Sequence, residues 1–424
     1  MLSGMNPVMR SQAVLAAAHA GRLLVSLVTA SVLGRSLAPA DFAFVALLSG
    51  IYIVAVEVLD MGTTAVANRE IAAQPAKERE TLEALLALRR LVAVAVFAAL
   101  LGLACSEYVV ERELRIVLAI AACGVFLLHL HAYQVVFQVR QAYGRVTALA
   151  LSSQIGFLLA CAVMLKFSAA GAAIGLLVVA REAVQAIGSR WIAVRMLGSR
   201  LRARWLDPRI GALLKAGWMI GAAGICYKVS AYAGGFMLWQ MSAPESLASF
   251  NAAQRLLAPM TDLAWLFVTP LIAALSASLA LDPPAFRAQL AGYLKFMLGM
   301  SALGAVAGYF LAPFVLRFLY GETYASGPLS AVDPLRWLLL AYLFAVVSPL
   351  LVVTELAHGN AKALLLAAAA TLALNLSVNT WAIPRYGAEG AAVVLAGCEA
   401  FLFAVLLIRC AARGDLGRPR RARV

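Results

Sequence analysis

The chain has 424 residues, 63% of them hydrophobic and 13% charged, with a mean hydropathy of +0.88 and a net charge of +14. Soluble domains hold roughly 45–50% apolar and about 25% charged residues, and a water-facing exterior cannot be made from so few polar side chains. Composition therefore excludes a soluble fold and leaves a polytopic membrane protein. A transmembrane barrel alternates apolar and polar residues over strands of about 10 residues. The apolar runs here are continuous and reach about 20 residues, the length a helix needs to cross roughly 30 Å of hydrocarbon. The expected fold is all-α, a bundle of about twelve transmembrane helices.

Taken in chain order, the predicted spans are 11–34, 42–66, 84–105, 114–138, 146–166, 170–194, 212–238, 247–277, 290–312, 333–355, 361–382 and 388–408. Arg22 interrupts the first apolar stretch and no small-residue cleavage site follows it, so that stretch reads as a span rather than a cleaved leader. The longest polar connection, RMLGSRLRARWLDPRIG, follows the sixth span. It separates an N-terminal six-helix lobe (1–200) from a C-terminal one (212–412), with a basic linker at 201–211 and a basic tail at 413–424. Weak echoes relate the halves, for example Ala38-Pro39 and Ala243-Pro244 between the first and second spans of each. Six spans per half is an even number, so two such lobes run in the same sense and predict a pseudo-two-fold along the membrane normal with a cavity between them.

Lys and Arg set the orientation. Twenty-four of the 35 fall in the tail, the linker and the other loops on the side of the N-terminus, among them Arg69, Arg89 and Arg90, against seven on the opposite side, including Arg35. Both termini are thus expected in the cytoplasm. That rule accounts for the basic tail, and a nucleic-acid partner is not expected. The six cysteines (105, 123, 161, 226, 398 and 410) sit in or beside apolar runs without C-x-x-C spacing and read as small hydrophobes.

Ionisable groups inside a bilayer are costly and face a bundle interior or a wet cavity. The predicted spans contain the cations Arg22, Arg181, Lys228 and Arg255 and the acids Glu57, Asp60, Glu182, Asp262 and Glu399. Glu57 and Asp60, three apart, share a helix face, and Arg255 and Asp262, seven apart, are two turns along another. Arg181 and Glu182, adjacent in sequence, point to different sides. Each ion either pairs to lock two helices or lines a transport path. If the helices that carry Arg22, Lys228 and Arg255 face across a central cavity, that cavity is cationic and suited to phosphate or pyrophosphate. His129 and His131 are two apart and face apart, so they form no metal pair, and no nucleotide-binding loop or nucleophile elbow is present. No outer loop is long enough to house an enzyme site. Neither enzymatic activity nor a cofactor is expected.

Several stretches carry a family likeness: LGRSLAPADFAFVALL (33–48), DMGTTAVANREIA (60–72), ASFNAAQRLLAPM (248–260), TPLIAALS (269–276), RFLYGETYASG (317–327) and NLSVNTWAIPRYGAEGAAVV (375–394). In order and spacing this set resembles the polysaccharide-biosynthesis flippases, which belong with multidrug extrusion transporters and lipid II flippases in one exporter superfamily. The resemblance implies two six-helix lobes, alternating access, and undecaprenyl-pyrophosphate-linked repeat units of O-antigen, lipopolysaccharide or exopolysaccharide carried to the outer leaflet of a bacterial inner membrane. Expected partners are the lipid-linked oligosaccharide, membrane lipids, and a polysaccharide polymerase and glycosyltransferases. It also implies Arg35 and Arg255 on the headgroup path and places Asp60 and Arg69 in the second-helix signature. The headgroup candidates are Arg22, Arg35, Lys228 and Arg255, and the candidates for Na⁺ or H⁺ coupling are Glu57, Asp60, Asp262 and Glu399. Two glycines usual in the family are replaced, at Ala43 and in Ala248-Ser249-Phe250. A multidrug antiporter, which favours an acidic cavity, is the main alternative. A lipid II flippase, with a fourteen-span layout, and an intramembrane glycan enzyme fit less well.

Overall fold

The computed structural model describes residues 7–167, 171–205, 207–268 and 271–416. Among them every regular element is a helix, and nine helices are long and apolar enough to cross a membrane. The chain divides into two compact units, Met1–Ile225 and Cys226–Val424.

In the first unit, α1 (Pro7–Ser36) packs on α7 (Tyr143–Lys166), and α2 (Pro39–Asp60) packs on α5 (Arg112–Leu127) and α8 (Gly171–Leu197). The second span ends earlier than expected, at Asp60 instead of 66. Met61 (φ 46°) and Gly62 (φ 72°) are both left-handed, and a new helix, α3 (Thr63–Ala73), starts in another direction. The cause is tertiary. Residues 210–225 form the first half of α9 (Ile210–Met241), and a Cβ on Gly62 would lie 2.6 Å from the Gly217 carbonyl oxygen. A Cβ on Gly221 would collide with the Met61 carbonyl group. Two backbones touch here, and only glycine permits it.

After a short 3₁₀ turn, α4 (Glu78–Cys105) begins six residues before the predicted span, with Glu78 and Glu80 in its first turn, where they oppose the positive end of the helix dipole. The fourth span is α5, a six-residue 3₁₀ stretch at Leu128–Tyr133, and α6 (Gln134–Val139). One end of this unit has its own apolar core, drawn from Val66, Ile71, Leu82, Leu85, Val136, Phe137, Ala193 and Leu213.

In the second unit, α10 (Pro244–Val268) and α11 (Leu271–Leu281) occupy the eighth predicted span. α12 (Pro283–Tyr320) starts on the Asp282 N-cap, whose carboxylate accepts from the Ala285 amide at 3.1 Å. It continues through Pro313, where the sequence predicted an end, because the apolar run FVLRFLY carries on beyond it. A short α13 (Glu322–Ala325) leads to α14 (Val332–Ala357), a well-buried helix that packs against α10, α12 and α15 (Ala361–Arg413). α15 breaks at Gly387 (φ 51°, ψ −127°) into the eleventh and twelfth spans, close to the predicted division. Each of the twelve predicted spans coincides with a helical segment.

Candidate functional site

The polar residues inside the first unit form two groups. In one, Arg89 reaches from α4 to the α2–α3 break. Its Nη2 donates to the Asp60 carboxylate and, at 2.6 Å, to the Thr64 hydroxyl, while the hydroxyls of Thr64 and Thr63 donate to Asp60. Arg89 is 5% exposed, and its Nε has no hydrogen-bond partner among the described residues. The charge count grouped this arginine with the loops, although the predicted span 84–105 contains it; the structure buries it within α4. Glu57, one turn before Asp60, is within electrostatic reach of Arg89, and its carboxylate lies against Gly224 of α9, where a Cβ would leave it no room.

The second group corrects a sequence inference. Arg181 and Glu182 were expected to face apart, yet Arg181 Nη2 and Nε meet Glu182 Oε1 at 2.5 and 3.1 Å. The long guanidinium stem curls around the helix, resting over Phe157 at 5.1 Å while Nη1 donates to Gln154 at 3.3 Å. His131, from the 3₁₀ stretch, is in electrostatic reach of both Glu182 and Arg89. His129 instead turns its Nδ1 to the Phe126 carbonyl at 2.5 Å. Arg22 is half-buried on α1, Arg35 is exposed in the last turn of that helix, and Arg69 is exposed on α3.

In the second unit the structure joins two residues that the sequence assigned to different roles. Glu399 on α15 is 6% exposed, accepts a hydrogen bond from the Tyr227 hydroxyl and lies within electrostatic reach of Lys228 on α9. Its Oε2 is buried without a hydrogen-bond partner among the described residues. On the same helix Asn379 Nδ2 donates to Asn375 Oδ1 at 2.7 Å, with both residues fully buried. Arg255 on α10 donates from Nε to Asn251 Oδ1, one turn back, at 3.4 Å and lies in reach of Tyr320. The side chain of Asp262 lies outside the described residues.

Sequence reasoning missed Arg89, the Asn375–Asn379 pair and an ion cluster at the end of α14. There Glu355, fully buried, accepts from Arg409 Nε at 3.0 Å and Arg413 Nη1 at 2.8 Å. The signal for Glu355 was available: a lone acid in VVTELA, with two arginines on the terminal helix. All six cysteines are free thiols, and no cluster of three or more His, Cys, Asp and Glu capable of holding a metal occurs among the described residues.

The profile of a family described as "Polysaccharide biosynthesis protein" matches residues 8–276. No curated protein matches the chain. Among solved structures, the lipid II flippase MurJ in an inward closed conformation is similar with a TM-score of 0.73 at 14% identity, over 95% of this chain and 88% of that one. An inward-facing multidrug resistance MATE family transporter of the MOP superfamily gives a TM-score of 0.64 at 14% identity, over 93% and 96%. The MATE multidrug transporter DinF-BH gives 0.63 at 12% identity, over 98% of each. At these identities the likeness establishes the fold, and the proteins that share it here are flippases and transporters rather than enzymes.

Proposed function

The chain belongs to the polysaccharide biosynthesis protein family, and from that premise we propose that it flips undecaprenyl-pyrophosphate-linked oligosaccharide repeat units from the cytoplasmic to the outer leaflet of a bacterial inner membrane. The family and the fold make it a multi-pass membrane transporter. The observation that carries the finer reading is the combination of that family with intramembrane cations in both units: Arg22 on α1, Lys228 on α9 and Arg255 on α10. A pyrophosphate head leaving water needs such groups, Arg binding it bidentately and Lys as a point charge. Arg35 in the last turn of α1 fits a first contact for the head at the membrane surface.

In this reading transport follows alternating access, with both termini in the cytoplasm, and the cargo comes from glycosyltransferases and passes to a polymerase. Glu399 is the leading coupling group of the second unit because its carboxylate is buried beside Lys228, so a change in its charge acts directly on a proposed headgroup ligand. In the first unit Glu57 takes precedence over Asp60, whose carboxylate is engaged by Arg89 and Thr64. The test is a deletion strain analysed by mass spectrometry of lipid-linked oligosaccharides. Accumulation of a complete repeat unit, reversed by the gene, supports the proposal. Normal glycan export with new sensitivity to cationic drugs moves the function to a multidrug antiporter.

A further inference from the structure

The connection after the sixth span reads as a flexible basic linker, yet it is held in place at almost every residue. The Met196 carbonyl accepts from Arg140 Nη1 at 2.5 Å, Ser199 accepts from Arg79, the Arg200 carbonyl accepts from Arg79 Nη2 at 2.6 Å, and the Arg202 amide donates to Glu83 at 2.9 Å. Leu201 and Ala203 pack on the apolar core at that end of the first unit. Burial alternates along residues 199–204, the pattern of an extended chain. Ser199, Leu201 and Ala203 are half-buried, while Arg200, Arg202 and Arg204 are all exposed.

The acids of this surface are already engaged. Glu78 is bound by Arg140, Glu83 by Arg79, Glu80 by Arg209, and Asp207 by Arg209, with Arg204 in electrostatic reach of Asp207. Two exposed tryptophans flank the arginines. Trp191, 56% exposed, lies under Arg195 at 3.6 Å, and Trp205, 50% exposed, lies under Arg90 at 5.3 Å. Exposed Trp beside Arg at the ends of spanning helices marks the headgroup layer.

We propose that Arg200, Arg202 and Arg204 form a pre-ordered binding surface for the phosphate headgroup of an anionic phospholipid in the leaflet that this connection meets. The ladder is rigid before the lipid arrives, its carboxylates are neutralised internally, and the tryptophans set its depth. It does not depend on what the protein transports.

The test uses the purified full-length protein in mixed phosphatidylglycerol and phosphatidylethanolamine nanodiscs, with native mass spectrometry of the lipids retained on release. The wild type retains phosphatidylglycerol preferentially. Each arginine lost weakens that preference by about fivefold at low salt, so the triple variant R200Q/R202Q/R204Q loses it nearly completely. The triple lysine variant R200K/R202K/R204K keeps the charge and most of the preference, and R112Q, at the start of α5, leaves it unchanged. Raised salt weakens the preference, because these charges are exposed. The proposal is overturned if the Gln variant retains phosphatidylglycerol as the wild type does, or if the Lys variant loses it as completely as the Gln variant. Displacement of the lipid by millimolar inorganic pyrophosphate also overturns it, since it identifies a site for a soluble phosphate or for the head of a transported lipid.

Discussion

Breaking the Asp60–Arg89 pair has consequences whose asymmetry can be worked out in advance. The Arg89 side chain is 6% exposed and that of Asp60 26%. Removing one partner of a buried pair costs roughly 3–5 kcal/mol, because the remaining charge is left uncompensated. Asp60→Asn leaves Arg89 only the Thr64 hydroxyl and the attraction of the Glu57 carboxylate, with its Nε already lacking a partner among the described residues, so the cost falls within that range. Arg89→Met strands a carboxylate that water partly reaches and that keeps the Thr64 hydroxyl, so the cost falls to about 2–3 kcal/mol. The double variant Asp60→Asn/Arg89→Met removes both charges of the pair and should be more stable than Asp60→Asn alone, with a coupling of at least about 2 kcal/mol. The assay is thermal unfolding of the four purified proteins in one detergent, followed by tryptophan fluorescence. Additive losses, or Arg89→Met proving worse than Asp60→Asn, would refute the reasoning.

Other outcomes follow from the same structure. Gly221→Ala forces a methyl group into the Met61 backbone and should cost more than about 3 kcal/mol or abolish accumulation. Gly102→Ala, which meets open space, should be neutral or slightly stabilising when both are compared by thermal unfolding. Arg255→Ala should abolish surface glycan while the protein still inserts normally, measured by glycan blotting and membrane fractionation; wild-type glycan removes Arg255 from the path. Reporter fusions at residues 203 and 322 should lie on opposite sides of the membrane, cytoplasmic and external. The Asp207 carboxyl is held below its ordinary value of 3.8 by hydrogen bonds from Arg209. Its anchoring contribution is therefore complete above pH 3.8 and is lost only as pH falls through the lower folded-state value. Hydrogen exchange of residues 198–208, corrected for intrinsic rates, should be flat from about pH 8 to about pH 5, and loosening near pH 6 would rule this anchor out.

The spans were legible because bilayer thickness fixes the length of an apolar run whatever its neighbours are, and the division near Gly387 is a local matter of Pro384 and a glycine in positive φ. The break at Met61-Gly62 was not legible in the same way. DMGTT contains a glycine, but two consecutive left-handed residues are stabilised by a backbone contact with Gly217 and Gly221, far along the chain. Arg89 was misplaced for a related reason. A positive residue near a span end is usually a loop residue, and the partners that hold this one buried, Asp60 and Thr64, lie on other elements. The connection at 198–209 reads as a linker because its composition is basic, although its alternation of Arg with Leu and Ala was a period-two signal of an extended segment with one buried face. For the intramembrane charges, the sequence supplied nearly all the residues but few of their partners. Lys228 beside Glu399 and Arg181 on Glu182 are distances that helix periodicity within one element does not give.

The most direct test of the central claim is transbilayer movement itself. The purified protein, reconstituted into liposomes with a lipid-linked oligosaccharide confined at first to one leaflet, is assayed with a membrane-impermeant enzyme that modifies only exposed sugar. The protein should make the inaccessible lipid accessible, and Arg255→Ala and Glu399→Gln should lose this activity while remaining folded. Unchanged accessibility with folded, correctly inserted wild-type protein, under both Na⁺ and proton gradients, would contradict it.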